Sequence, residues 1–227
     1  MGVMRVILEV GPKRRVVAAA TDWPGLDRWG ASEDDALRKL SAYLPRYEPV
    51  ATRAGLATEY ADQRTMEVIE RTPGSSSTDF WGIAHVPSQL ERDGLSADEL
   101  ERRLVILQAC WATFDATAAS ASEDLLPGAR GGGRPRASII RHVLGTEPGQ
   151  MSRKVEVRTP LEAVFTPDGL ASHRAAYLAA IRAYHDAGRS ARTWPLAFLI
   201  RRTAQHALDH AWELEDRDPA RQPPLGR

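Results

Sequence analysis

The sequence predicts two modules of different class. A small α+β domain covers residues 1–78 and an all-α four-helix bundle covers 95–218, with a linker at 79–94 and a disordered tail at 219–227. Three observations carry this. Two β-rich runs, RVILEV (5–10) and RRVVAAA (14–20), flank the turn-forming GPK as the arms of a hairpin do. From residue 95 onward, four segments repeat apolar residues at helical spacing with no strand pattern between them. Between the two blocks, small polar residues and the run VPSQLERDG break any period.

The elements follow in order. After the hairpin, Trp23-Pro24-Gly25 marks a turn. Ser32 followed by Asp35 resembles a capping box with the shorter acid, and Leu37, Leu40 and Leu44 continue as a helix, which Pro45 and Pro49 are expected to end. TMEVIERTPGSSS (65–77) reads as a further strand running into a turn. The bundle opens at 95–126, where Ser96 and Glu99 form a capping box and Leu100, Leu104, Leu107, Trp111 and Phe114 share one face. PGARGGGRPR interrupts the pattern. A shorter helix at 137–155 is expected to be disturbed at Pro148. A third runs over 169–188 to a C-cap at Gly188, and a fourth over 194–217 with Pro195 in its first turn.

Bulk properties exclude several functions. Thirty basic and thirty acidic residues leave no net charge, so no long-range field favours nucleic acid or an anionic membrane, and nucleic acid is not an expected partner. The single cysteine, Cys110, excludes an internal disulfide and a zinc site built on paired thiolates, and it reads as a small buried hydrophobe. The apolar N-terminal run is too short for a signal peptide, and no segment approaches the roughly 20 apolar residues of a membrane span, so a cytoplasmic location is expected.

The chemistry lies in RRTAQHALDHAWELED (201–216). His206 and His210 stand four residues apart on one side of the last helix. Leu196, Ile200, Thr203, Ala207, Ala211 and Leu214 mark its buried side. His210 falls within that stripe, and His206 and Glu213 fall at its edge. Imidazoles in such a place are held neutral by desolvation, and neutral imidazole is a metal ligand. Two ligands make a weak site, and a third has to come from His85, His142, His173 or His185. His142 is preferred, although it lies at the flank of its helix and Glu147 points more squarely inward. The other reading of the pair is two packed interior histidines.

Residues 92–217 resemble the DinB-like (DinB/YfiT) four-helix bundle family, which carries a histidine within a pattern such as HVLGTE on the second helix and His-x-x-x-His on the last. SIIRHVLGTEPGQ and RRTAQHALDHAWELED fit both, in order. The resemblance implies a divalent metal, zinc or nickel, on His142, His206 and His210. It also implies thiol-dependent transferase chemistry on a small electrophilic substrate with a low-molecular-weight thiol, and homodimers. The N-terminal block is similar to HicB-like antitoxin domains, of β-β-β-α-β order, through VILEV, RRVVAAATDWPGL, WGASEDDALRKL and MEVIERTPG. A helical bundle stands where that family carries a DNA-binding tail. This similarity supports the alternative of a non-catalytic protein whose N-terminal domain engages a protein partner.

Further expectations concern single residues. Glu213 and Glu147 are candidates to orient a ligating imidazole or bind substrate. Arg141, with Arg134 and Arg136, is a candidate clamp for a substrate carboxylate. His173 and His185 are placed on exposed faces of the third helix. Trp23 and Trp29 are placed against the sheet, and Trp194 and Tyr177 in the core or at the bundle mouth.

Overall fold

A computed structural model describes residues 2–128 and 132–221. Its N-terminal part is a small mixed sheet, and its remainder is mostly helical. The strands are β1 (Gly2–Val10), β2 (Val16–Ala20), β3 (Asp27–Gly30) and β4 (Gln63–Pro73). The main helices are α1 (Glu33–Arg53), α2 (Ala57–Asp62), α3 (Ser76–Trp81), α4 (Gln89–Arg92), α5 (Ala97–Ser120), α6 (Arg136–Thr146), α7 (Pro167–Asp186) and α8 (Leu196–Arg217).

The sheet order is β3-β2-β1-β4, with β1 antiparallel to β2 and parallel to β4. Both faces of β2 are covered. Val16, Ala18 and Ala20 join the main core, while Val17 points the other way against Ala84 and Phe198 of α8. At the turn, Trp23-Pro24-Gly25-Leu26 closes with the Leu26 N–H donating to the Trp23 carbonyl at 3.0 Å. Gly25 sits at φ +93, and a Cβ there would lie 2.9 Å from Leu208 of α8, so glycine is required twice over.

α1 runs through both prolines to Arg53 instead of stopping at Pro45. A proline inside a helix costs roughly 3 kcal/mol. Here Ala36, Leu40, Leu44, Tyr47, Val50 and Ala51 are buried along one face, and each large side chain gains about 1.5–3 kcal/mol from that burial. The Tyr47 and Tyr60 hydroxyls also donate to the carbonyls of Pro24 and Leu44, both at 2.8 Å. Packing outweighs the helix-breaking preference.

The segment 79–94, expected to be a linker, is a packed joint. The buried Glu9 carboxylate accepts backbone N–H bonds from His85 and Val86, at 3.0 and 2.9 Å, and the hydroxyl of Thr78. Glu91 pairs with Arg201 of α8 at 2.7 Å, and Arg201 also reaches Asp27 of β3 at 2.6 Å, all three being buried. Within this segment Ser88 is buried and caps α4 in a box with Glu91, while Gln89, Arg92 and Asp93 remain exposed. One hydrophobic cluster extends from Met4 in β1 to Leu214 in α8.

In the helical part, Ser96 and Glu99 form the expected capping box, and Leu100, Leu104, Leu107, Trp111 and Phe114 are all buried. α6 gives way at Glu147 to a π-turn (Glu147–Met151), because Pro148 has no N–H to continue the ladder. The tail differs from expectation at its start. Pro219–Arg221 forms a short 3₁₀ turn, with Arg221 paired to Glu215 at 3.0 Å. Residues 222–227, and 129–131 of the Gly-rich loop, lie outside the described residues. Among the described residues, no helix is long and apolar enough to cross a membrane.

Candidate metal centre

His142 projects from α6, and His206 and His210 from α8. Their ring centroids form a nearly equilateral triangle with sides of 5.0, 5.0 and 4.9 Å. One ring nitrogen from each lies within 4.8 Å of the others, and Nε2 of His142 is 3.1 Å from Nε2 of His206. α8 provides two adjacent positions because four residues make little more than one turn. α6 lies alongside with Ile139 and Val143 buried, which leaves His142 at the flank facing α8. The Thr146 hydroxyl donates to the His142 carbonyl at 2.7 Å, bonding within the last turn of α6.

A carboxylate fixes the third imidazole. His210 Nδ1 lies 2.7 Å from Glu213 Oε2. The ionised carboxylate only accepts, so Nδ1 carries a proton and Nε2 is the nitrogen left to meet an ion. The other oxygen of Glu213 receives Arg217 Nη1 at 3.0 Å, and Arg217 Nε donates to the Leu126 carbonyl at 2.9 Å. The bond to His210, reinforced by Arg217, holds the Glu213 carboxyl below the usual carboxylate range. Burial first, and then the neighbouring His210, lower the pKa of His142. The same two causes push His206 well below an ordinary imidazole. Both are therefore neutral at pH 7.

This donor set fits a divalent ion. Two nitrogens bound to a tetrahedral centre at 2.0–2.1 Å stand about 3.3 Å apart. The 3.1 Å between His142 and His206 is close to that spacing. Three imidazoles, one already oriented by a carboxylate, are the ligand type and the outer support that such ions take.

The other expected residues fall elsewhere. Glu147 is buried, as its inward position suggested, but its oxygens are taken by Arg174 of α7 at 3.0 and 2.8 Å, so it orients no imidazole. Asp115 of α5 holds a second edge of the same guanidinium at 2.6 Å. Arg141 is exposed and stacks on Phe165 at 4.5 Å, and Arg136 donates to the Ala118 carbonyl at 2.6 Å. Of the three arginines, Arg134 is the one whose charge acts on His142 and Glu213. His173 is not on an exposed face. It is buried, with Nδ1 2.8 Å from Thr159 Oγ1, because the strap before α7 folds over that face. His185 is half-buried, and its Nε2 lies 2.8 Å from the Leu95 carbonyl.

Cys110 is fully buried, which raises its thiol pKa and rules it out as a nucleophile. Trp23 lies in the core between Tyr47 and Tyr60, whereas Trp29 is 38 % exposed, with Arg15 and Lys39 over its ring at 4.4 and 4.5 Å. Arg217 was not singled out in the sequence, although it stands four residues after Glu213, at ion-pair spacing. No known family model, curated protein or solved structure matches the chain.

Proposed function

We propose that this protein holds a divalent metal ion, zinc or nickel, on His142, His206 and His210, and uses it in thiol-dependent transfer to a small electrophile. The observation that carries this reading is the convergence of three imidazoles from two helices to within 4.8 Å. The reading includes the finer architecture: a DinB-like four-helix bundle formed by α5 to α8, and a HicB-like N-terminal domain of β-β-β-α-β order. The element order β1-β2-β3-α1-β4, with the short α2 before β4, is compatible with the latter.

Three histidine ligands leave at least one coordination position open, which is the arrangement of reactive rather than structural sites. When bound, the ion supplies Lewis acidity that favours the thiolate of a bound thiol over the thiol. The residues themselves do the rest. Glu213 keeps the proton on His210 Nδ1 and so keeps Nε2 available. Burial keeps His142 and His206 deprotonated. In the transfer, the thiol proton leaves to solvent, sulfur bonds to the electrophilic carbon, and the leaving group departs with its electron pair.

Elemental analysis of the purified protein tests the centre. One zinc or nickel per chain is expected in wild type, and loss of it in His142→Ala, His206→Ala and His210→Ala. A metal-free wild type that binds neither added ion sinks the reading. The chemistry is tested separately: the metal-loaded protein should consume a low-molecular-weight thiol in the presence of electrophiles, and failure with every thiol leaves a metal site without transfer.

A second reading has its own observation. Phe80 and Trp81 are 70 % and 62 % exposed, in contact with each other and beside Trp29 and Arg15. Exposed aromatics with arginine are the composition of interface anchors. They support the alternative in which the N-terminal module engages a protein partner. A stoichiometric partner recovered with wild type and lost with Trp81→Ala would favour it.

A further inference from the structure

Two of the three arginines expected to clamp a carboxylate stand beside a different cleft. A groove of roughly 350 Å³ runs between α5, α6 and the segment that enters α7. Phe114 and Ala118 of α5 and Val164 form its buried floor, and Ile140 and Leu144 of α6 with Phe165 form half-exposed walls. Ile140 and Leu144 are four residues apart and share one flank of α6. His142 lies on the opposite flank, turned to His206 of α8. The groove and the histidine cluster therefore lie on different sides of this helix.

The charges around the groove do not cancel. Arg136 lines it one turn before Ile140. Its Nε and Nη2 both donate to the Ala118 carbonyl, at 3.1 and 2.6 Å, which fixes the plane of the guanidinium. Its Nη1 is open to water and has no protein partner among the described residues. Arg141 lies over the Phe165 ring at 4.5 Å, and it too has no carboxylate partner among the described residues. The one acid on the groove wall, Asp115, is already held by Arg174 at 2.6 Å. What remains unpaired is positive.

A concave, mostly apolar site with a few placed polar groups is the form that small-molecule sites take, and this volume falls at the lower end of their range of about 300–1,000 Å³. The surface exposed inside the groove is far smaller than the roughly 800 Å² that each partner of a standard protein complex buries, which argues against a second copy as its occupant. A guanidinium whose plane is fixed in advance also loses little freedom on binding. We infer that the groove binds a small amphipathic acid, with an alkyl or aryl body on Ile140, Leu144 and Phe165 and a carboxylate received by Nη1 of Arg136. The inference uses neither the histidines nor Glu213, so it stands apart from the metal reading.

The test uses the full chain, freed of metal with a chelator and dialysed so that no ion can take the carboxylate. Octanoate, below its micelle concentration, and its neutral counterpart octanamide are titrated by calorimetry. Octanoate should bind saturably at one per chain, and octanamide at least tenfold more weakly. Arg136→Met should bring octanoate down to the affinity of octanamide and leave octanamide as it is in wild type. Leu144→Glu should abolish binding of both, with the fold checked by circular dichroism. The comparison of acid with amide needs no variant, so it stands even where one fails to fold. Absence of saturable octanoate binding overturns the inference, as does equal affinity for acid and amide in wild type, or wild-type affinity for octanoate in a folded Arg136→Met. A wild-type dimer that Leu144→Glu separates would also overturn it, by giving the groove to a second copy.

Discussion

Glu213 decides which nitrogen His210 offers. With the Nδ1 proton held at 2.7 Å by a carboxylate, the imidazole is fixed in both tautomer and plane. If the three histidines hold zinc, Glu213→Ala should weaken its binding by about 10–100-fold, with Glu213→Gln between it and wild type, as measured by competition with a chromogenic chelator. Equal affinity in all three would mean that the carboxylate serves only Arg217. His173 presents the opposite case, a buried histidine whose Nε2 has no partner among the described residues. Burial, and then the adjacent Arg174, lower its pKa from 6.5 to about 4. As the pH falls below about 6.5 the unfolded chain takes up this proton before the folded one does, so folding stability declines down to about pH 4. His142 and His206 add to the decline with the same sign when no metal is bound. In metal-free protein, His173→Gln should flatten the pH dependence of urea unfolding between about pH 7 and 4 by on the order of 2 kcal/mol. An unchanged slope would place that proton uptake on the other two histidines.

At the scale of elements, what the sequence discloses depends on how local the cause is. The α8 stripe was legible because four-residue spacing alone puts His206 and His210 on one side. The inward position of Glu147 was legible for the same reason. Its partner was not, since Arg174 lies on another helix and nothing in the spacing of α6 points to it. The course of α1 was misread at Pro45 and Pro49 because the buried face that overrides them is defined by the sheet and by Tyr60, beyond the helix itself. That override leaves a trace. Both prolines are exposed, so Pro49→Ala opens no cavity and restores an N–H for the carbonyl one turn earlier. It should raise stability by about 1–2 kcal/mol in chemical denaturation, and a loss would mean that the fixed φ of proline contributes more than the missing bond. The Arg174 clamp has the reverse sign. Arg174→Met leaves Glu147 buried without a counter-charge and should cost about 3–5 kcal/mol, much of it recovered in Arg174→Met/Glu147→Leu. Because the π-turn follows α6 directly, the single variant should also change the visible spectrum of cobalt if the proposed centre binds it.

At the scale of the molecule, the sequence division into two modules with a linker misses how they are joined. The polar composition of 79–94 suggests a solvated connection, but the carboxylate of Glu91 enters the interior and meets Arg201, which also holds Asp27. No local pattern announces such a joint, because its members lie in β3, α4 and α8 and are brought together only by the fold. Two carboxylates share one guanidinium, so each is tolerated in the interior only while Arg201 is present. α8 thus carries the histidine pair on one stretch and anchors the sheet on another, within a hydrophobic cluster continuous from Met4 to Leu214. A shared core of this kind predicts one cooperative unfolding transition for the whole chain, followed equally by tryptophan fluorescence and by helical circular dichroism. Arg201→Met should lower that single transition by about 3–5 kcal/mol through the two stranded acids, and Arg201→Met/Asp27→Asn/Glu91→Gln should recover part of the loss. If the histidines hold zinc, the ion should raise the same transition for both probes, because α8 cannot come apart without releasing the sheet. Two separate transitions, with zinc stabilising only the helical one, would show that the joint transmits nothing and that the modules fold independently.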